Sequence, residues 1–139
     1  MPERIKMICK TDKKPSADEW LREAKASKTA SKCGMYLVHN GVVREDAKAM
    51  VRMNASGTKP VTGMDFDYDA EKIEAAIAQT YKMDGIYFIR VWLAKGHLEV
   101  GDDIMQVLIG GDIRPHVVDA LQSLVGTIKN SCVSEVEVY

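Results

Sequence analysis

The sequence predicts an α+β fold, a mostly antiparallel sheet with helices packed against one of its faces. Three observations predict it. Strand-like runs of β-branched and aromatic residues recur along the chain, and well-capped amphipathic helices stand between them. Two long apolar runs, "IYFIRVWLA" and "IMQVLIGG", are separated by one short glycine-containing segment, as in a hairpin. With 139 residues, the chain is expected to form a single domain over residues 1–139.

The first half of the chain is predicted to contain three strands and two helices. The strands are "RIKMICK", "MYLVHN" and "VTGMDFDY". One helix lies in "PSADEWLREAKAS", where Ser16 can cap the amino end and Trp20 and Ala24 give an apolar side. The other lies in "DAEKIEAAIAQTYKMDG", with Asp69 as its cap and Gly85 as its end.

The second half of the chain is predicted to contain the two hairpin strands, then a long helix and then a last strand. "KGHLEVGDD", between the hairpin strands, is predicted to be a turn region. The helix "DIRPHVVDALQSLVGTIKN" is expected to be capped by Asp112 and to have Pro115 in its first turn. "SCVSEVEVY" is the final strand. The predicted apolar stripe of this helix consists of Val118, Leu121, Leu124, Val125 and Ile128.

A long loop is predicted from Gly41 to Pro60, because the hydrophobic pattern dissolves there and Asn, Ser, Gly and Pro follow. Loops of this length inside a domain are usually functional or mobile. We therefore expect the segment 45–59 to be poorly ordered in the absence of a ligand.

Composition excludes several classes of protein. The net charge is -1, which argues against a nucleic-acid binder that relies on a basic surface. No run approaches the ~20 apolar residues of a membrane span, and the amino terminus lacks the apolar core of a signal peptide. The odd, widely spaced cysteines Cys9, Cys33 and Cys132 indicate a reducing compartment, and we expect the protein in the cytoplasm.

Few side chains are placed to carry chemistry. The three histidines, His39, His97 and His116, have no metal-ligand spacing, so no metal and no cofactor are expected. Arg44 follows a strand that ends in a glycine. Arg114 lies in a first helical turn, where the helix dipole disfavours a cation. Lys129, at the end of that helix, has the alternative explanation that it complements the dipole.

The chain resembles the large, catalytic subunit of molybdopterin synthase. The similarity lies in "NGVVR" after a strand, "KGHLEVGDD" in a hairpin and "GDIRPHVVDALQSLVGTIK". The order of elements follows that family from the first strand to the last helix. The fold implied by the resemblance is the α/β-hammerhead-like one of that subunit.

The resemblance implies a chemistry and its partners. The family transfers sulfur from a thiocarboxylated, small ubiquitin-like carrier subunit, which ends in Gly-Gly, to a cyclic pyranopterin monophosphate. The product is the molybdopterin dithiolene of molybdenum cofactor biosynthesis. The family also implies a homodimer. Arg44 and Arg114 match its substrate-anion positions and, with His39, are assigned to substrate binding, whereas Lys129 matches a catalytic lysine.

A second function stays open, because four positions differ from the family pattern. The family has a lysine, a histidine, a second catalytic lysine and a further histidine where this chain has Val42, Ile113, Val136 and Leu93. The alternative is a non-catalytic relative, a module that binds a pterin or the carrier and regulates cofactor synthesis.

Overall fold

A computed structural model describes residues 8–11, 13–46 and 60–139 and shows seven strands and three α-helices in these ranges. The strands are β1 Ile8–Cys9, β2 Met35–Val42, β3 Gly63–Tyr68, β4 Ile86–Leu93, β5 Gly96–Glu99, β6 Asp103–Gly111 and β7 Val133–Val138. The helices are α1 Ala17–Lys25, α2 Ala70–Thr80 and α3 Arg114–Thr127, with a short 3-10 helix at Ala30–Lys32 and a π-helical turn at Ile128–Cys132.

The strands form two sheets. One has four strands in the order β1-β4-β6-β2, and the other has three in the order β5-β3-β7. Among the described residues, β1 and β4 are the one parallel pair, and all other pairs are antiparallel. The predicted α+β class and the pairing of the two long apolar strands, β4 and β6, are confirmed.

The four-stranded sheet is covered on both faces, so the prediction of helices on one face was wrong. Every residue of Ile104–Gly111 in β6 is buried, which requires cover on both sides. On one side lies α3, since a side chain at Gly111 would collide with Val117. On the other side, the buried Gln106 donates a hydrogen bond from Nε2 to the carbonyl of Pro15, 3.0 Å away, and so ties down the segment before α1.

The predicted caps are confirmed for two helices and wrong for the third. The Ser16 hydroxyl accepts a hydrogen bond from the Glu19 N–H, and the Asp69 carboxylate accepts from two N–H groups of α2. The cap position of α3 is Ile113, not Asp112. Asp112 stands one residue earlier, where its carboxylate accepts from the Ile113 N–H at 2.6 Å.

The buried face of α3 differs by one position from the predicted stripe. Leu124 is buried as expected, but Val117 and Ala120 are the other buried residues of the helix, and Val118 is half-buried. By helical spacing alone, the face with Val117 and Ala120 and the adjacent face with Val118 and Leu121 have similar hydrophobicity. Packing against the sheet determines which of the two is buried. The regular α-helix also ends at Thr127, before the predicted Asn130.

The segment predicted as a turn between the hairpin strands contains β5. Gly96–Glu99 pairs with β3 in the second sheet, so the chain leaves one sheet, adds a strand to the other and returns. Gly96 and Gly101 have φ angles of 100° and 92°, which glycine adopts without strain, and they allow these sharp changes of direction. The two glycines were visible in the sequence, whereas the pairing partner was not.

Most of the predicted loop 41–60 lies outside the described residues. Its first two residues belong to β2, which continues to Val42, and residues 47–59 are not described. The expectation about order in segment 45–59 therefore stays a prediction. Within the described part of the chain, no helix is long and apolar enough to cross a membrane.

Candidate functional site

One cavity brings together Arg44 and Lys129, which the sequence analysis placed at substrate binding and catalysis. Its volume is about 160 Å³, and it opens where β2, the π-helical turn and β7 meet. The polar lining comes from Arg44, Lys129 and two carboxylates. The full set of lining residues is Gly41, Val42, Arg44, Met64, Ile104, Met105, Lys129, Glu135 and Glu137.

The end of β2 directs Arg44 to this cavity. The register between β2 and β6 shifts between Gly41 and Val42, an irregularity that bends the strand end. The next residue, Val43, is buried and fixed on both sides, because its N–H donates to Asp102 at 2.9 Å and its carbonyl accepts from Gly101 at 2.8 Å. The Arg44 backbone is thus held at the rim, while its side chain is exposed and available to an anion.

The π-helical turn after α3 places Lys129. Ile128 and Cys132 are buried and anchor the turn in the core, so Lys129, half-buried, lies on its outer side. The Cys132 carbonyl accepts a hydrogen bond from the Asp69 N–H at 2.9 Å, which fixes the turn to the start of α2. A π-helical turn is rare and is frequently found at functional sites. It also changes the residue spacing, so α-helical periodicity does not predict where Lys129 points.

His39 lies directly behind the cavity. It occupies the same face of β2 as Gly41, the face on which α3 packs, and a methyl group on Gly41 would lie 3.7 Å from the Nε2 atom of His39. That nitrogen is buried and has no hydrogen-bond partner among the described residues. Burial lowers the pKa of His39, and the positive charge of Lys129 lowers it further.

Arg114 does not line this cavity. It is exposed in the first turn of α3, and at 1.5 Å per residue the helix separates it from Lys129 by roughly 20 Å. The structure therefore brings together Arg44 and Lys129, with His39 behind them, and places Arg114 elsewhere on the same chain. One small phosphate cannot contact both Arg114 and Lys129 of a single chain.

Glu135 and Glu137 are cavity residues that the sequence analysis did not assign to the site. They occupy one face of β7 and are half-buried, whereas Val136 between them is exposed and lines a different depression with His97 and Ser134. Strand alternation in "SCVSEVEVY" indicated that the two carboxylates share a face. Nothing in the sequence pattern of β7 indicated that the face with the two carboxylates lines a cavity with Lys129 instead of contacting solvent.

The other two histidines serve local contacts away from the cavity. The Nδ1 atom of His97 lies 2.8 Å from a carboxylate oxygen of Asp65, and this hydrogen bond raises the pKa of His97. His116 Nδ1 lies 2.7 Å from the Asp112 carboxylate, and the hydrogen bond lowers the pKa of Asp112. In residues 8–11, 13–46 and 60–139, no group of histidine, cysteine and carboxylate side chains could hold a metal ion.

The cavity has the composition of an anion-binding site with a reactive amine. A guanidinium can form two parallel hydrogen bonds to a phosphate or carboxylate, and an ammonium can stabilise developing negative charge or attack a carbonyl carbon. The two glutamates limit the net positive charge of the cavity lining. The fold and the site thus define an α+β protein with a small cavity, lined by charged side chains, at the edge of its sheets.

The chain belongs to the MoaE protein family, whose model matches residues 11–131. No curated protein sequence matches the chain. The family contains the catalytic subunit of molybdopterin synthase, so membership confirms the predicted resemblance, the class of enzyme and the process, molybdenum cofactor biosynthesis.

Solved structures of distant relatives share the fold. A molybdopterin synthase structure from Staphylococcus aureus is 19% identical, with a TM-score of 0.65, and the match covers 91% of this chain and 87% of that one. A molybdopterin cofactor biosynthesis protein E from Burkholderia multivorans is 12% identical, with a TM-score of 0.69 and coverage of 95% and 88%. A complex of subunits 1 and 2 of the molybdopterin-converting factor from Helicobacter pylori is 14% identical, with a TM-score of 0.61 and coverage of 90% and 84%.

Proposed function

We propose that this protein transfers sulfur from a thiocarboxylated small carrier subunit to a cyclic pyranopterin monophosphate, in the cytoplasm, and so forms the molybdopterin dithiolene. The single observation that carries the proposal is the meeting of Arg44 and Lys129 in one cavity. Family membership supplies the reaction, and the geometry supplies the place where this chain would carry it out.

Arg44 is proposed to bind the substrate phosphate. Its guanidinium is exposed at the cavity rim, and within the described residues its one hydrogen bond runs from Nε to the Asp46 carbonyl at 3.1 Å. A guanidinium is always charged, and its planar fork matches two phosphate oxygens. The neighbouring Val43 is buried and hydrogen-bonded, so the backbone at Arg44 is already held in place before a ligand binds.

Lys129 is proposed to act on the reacting atoms. After the carrier's sulfur has bonded to the pterin, water can attack the acyl carbon of the carrier's last glycine, and the C–S bond breaks so that the sulfur stays on the pterin; the Lys129 ammonium can stabilise the anionic intermediate of this step. Alternatively, the neutral amine attacks that carbon in place of water and expels the same sulfur, and the amide that forms is hydrolysed to release the carrier. Both roles require the amine nitrogen to lie at the carrier end of the cavity. The cavity volume of about 160 Å³ suits a phosphate or an extended Gly-Gly tail, but not a whole pterin and a tail together.

A homodimer is proposed to complete the site. Arg114 is separated from Lys129 by roughly 20 Å along the helix of one chain, so it can serve the same substrate only if a second copy presents it. The small size of the cavity in a single chain agrees with this arrangement. The relative from Helicobacter pylori is described as a complex of two different subunits, which supports a small carrier as the further partner.

One observation favours the alternative, a non-catalytic module that binds the pterin or the carrier. Two carboxylates, Glu135 and Glu137, line the cavity beside the cations, and Val136 occupies the position of the family's second catalytic lysine. Such a module would bind the carrier or the precursor without producing dithiolene.

The deciding experiment combines the purified chain with thiocarboxylated carrier and cyclic precursor and measures dithiolene formation and binding in parallel. We expect multiple turnovers when carrier is supplied in excess. Binding of carrier or precursor with no dithiolene would contradict sulfur transfer and support the binding module. Omission of the thiocarboxylate, with the carrier otherwise intact, is the matched control.

A further inference from the structure

The side chain of His39 has a buried polar atom whose lack of a hydrogen-bond partner requires an explanation. Its Nε2 atom is buried and has no hydrogen-bond partner in the part of the chain that the structure describes. A buried nitrogen without a hydrogen-bond partner destabilises the folded state relative to one that has a partner. The strand neighbours do not relieve this cost, because the residue directly opposite on β6 is Val107.

The position of the imidazole points to Lys129. His39 and Gly41 share the face of β2 that α3 covers, and Gly41 lines the same cavity as Lys129. The Nε2 atom lies 3.7 Å from the space that a methyl group on Gly41 would fill, so this nitrogen lies next to the lining of the cavity. The Lys129 charge is also close enough to lower the pKa of His39.

We propose that His39 is a positioning residue for Lys129. The two side chains are not hydrogen-bonded in this structure, and rotation of the flexible lysine side chain would let its ammonium donate a hydrogen bond to the neutral imidazole at Nε2 and so hold the amine at the cavity. The inference rests on the proposed function in one respect: the oriented amine serves sulfur transfer only if the protein catalyses that reaction. The pairing itself depends only on the geometry of β2 and the π-helical turn. It gives the buried nitrogen a partner and restricts the rotational freedom of a long, flexible side chain.

Other charges around His39 do not offer the same partner. β6 contributes the uncharged Met105 and Val107. Glu135 and Glu137 on β7 accept hydrogen bonds as carboxylates and cannot donate to a neutral Nε2. Lys129 is the charged residue that acts on the pKa of His39. The other charged or titratable residues on these elements are Tyr36 on β2, Arg44 after it, Asp103 on β6, Arg114, His116 and Asp119 on α3, and Cys132 on the π-helical turn.

Protonation of His39 would abolish the pairing, because an imidazolium has no acceptor and repels the ammonium. Burial and Lys129 lower the pKa of His39, so the pairing is complete above the ordinary histidine value of about 6.5. It is lost as the pH falls through the lower, folded value. Sulfur transfer should therefore have an acid limb below about 6.5 that belongs to His39.

The first test needs no catalytic activity. The pKa of His39 and the nitrogen chemical shift of its Nε2 are measured by NMR in the full chain, in Lys129→Met and in Lys25→Met, a control at the end of α1. We expect the pKa to rise and the Nε2 shift to move in Lys129→Met, with no change in the control. An unchanged His39 pKa and Nε2 shift in Lys129→Met would overturn the pairing, whether or not the protein transfers sulfur.

The second test measures the pH dependence of sulfur transfer. The wild-type rate should fall about tenfold for each pH unit below the His39 pKa. His39→Gln keeps an acceptor and cannot be protonated, so it should retain activity and lose the acid limb, while His39→Phe should be impaired at every pH. His97→Gln, on the exposed β5, should leave the limb unchanged. An acid limb that persists in His39→Gln would contradict the positioning role. A wild type without any activity would refute the proposed function and leave the NMR result standing.

Discussion

Arg44 and Lys129 are far apart in the chain and meet at one cavity because the end of β2 and the turn after α3 lie at the same edge of the four-stranded sheet. Both residues were selected from the sequence by their positions at element ends and by the family resemblance. Their meeting could not be predicted from helical geometry, since the π-helical turn alters the spacing that carries Lys129.

Replacing Arg44 by methionine should raise the KM for the pterin phosphate by about ten- to a hundredfold, the equivalent of a lost charge-assisted hydrogen bond. The fold should persist, because the Arg44 side chain is exposed. Steady-state kinetics at varied precursor concentration measures the change, and Arg22→Met, on the exposed side of α1, is the control. A KM equal to that of the control would remove Arg44 from phosphate binding.

Helices and strands were predicted well where neighbouring residues determine them, and less well where they depend on pairing with a strand that is distant in the sequence. Ser16 and Asp69 cap their helices as expected, because capping depends on residues only three positions apart. The short strand β5 was predicted as a turn, because its partner β3 is distant in the sequence and because one glycine, Gly96, begins the strand and another, Gly101, follows it. Similarly, two kinds of residue, glutamate and valine, alternate along β7 in the sequence, but which of them faces the cavity depends on how the strand packs in the fold.

Two adjacent valines of α3 test which face of the helix is buried. Val117 is fully buried against the sheet, and Val118 is half-buried. Val117→Ala should cost about 2 kcal/mol of unfolding free energy, from the lost methyl groups and the cavity they leave, and Val118→Ala should cost clearly less. Urea denaturation of the two variants measures the difference. An equal or larger loss for Val118→Ala would mean that the helix buries the face predicted from the sequence.

At the scale of the whole molecule, a single chain holds Arg44 and Lys129 at one place and Arg114 at another. The fold class was predictable from the order of elements. The division into two sheets was not, because it depends on where each short strand finds an edge. The proposed dimer is the simplest arrangement in which all three cations act on one substrate.

Light scattering at micromolar concentration should therefore give about twice the 15.4 kDa chain mass. A mass that stays at one chain over the whole concentration range would exclude the dimer.

Mixing two inactive variants tests whether Arg114 serves the site of the other chain. Lys129→Ala and Arg114→Ala, unfolded and refolded together, should form heterodimers with one intact site and recover roughly a quarter of wild-type activity, as random pairing of two chains requires. Each variant refolded alone is the control. Full activity of Arg114→Ala by itself, or no recovery on mixing, would contradict a shared site.

The most direct test of the account is the activity of Lys129 variants in dithiolene formation with thiocarboxylated carrier and cyclic precursor. Lys129→Ala should abolish the reaction and leave the fold intact, since a lysine at a helix end contributes only about 0.3–1 kcal/mol through the dipole. Lys25→Ala, which removes the amine of the last residue of α1, is the matched control and should keep wild-type activity. Lys129→Arg should fail if the amine attacks or releases a proton and should retain partial activity if its role is electrostatic. Full activity of Lys129→Ala would contradict the assignment of this cavity as the site of sulfur transfer.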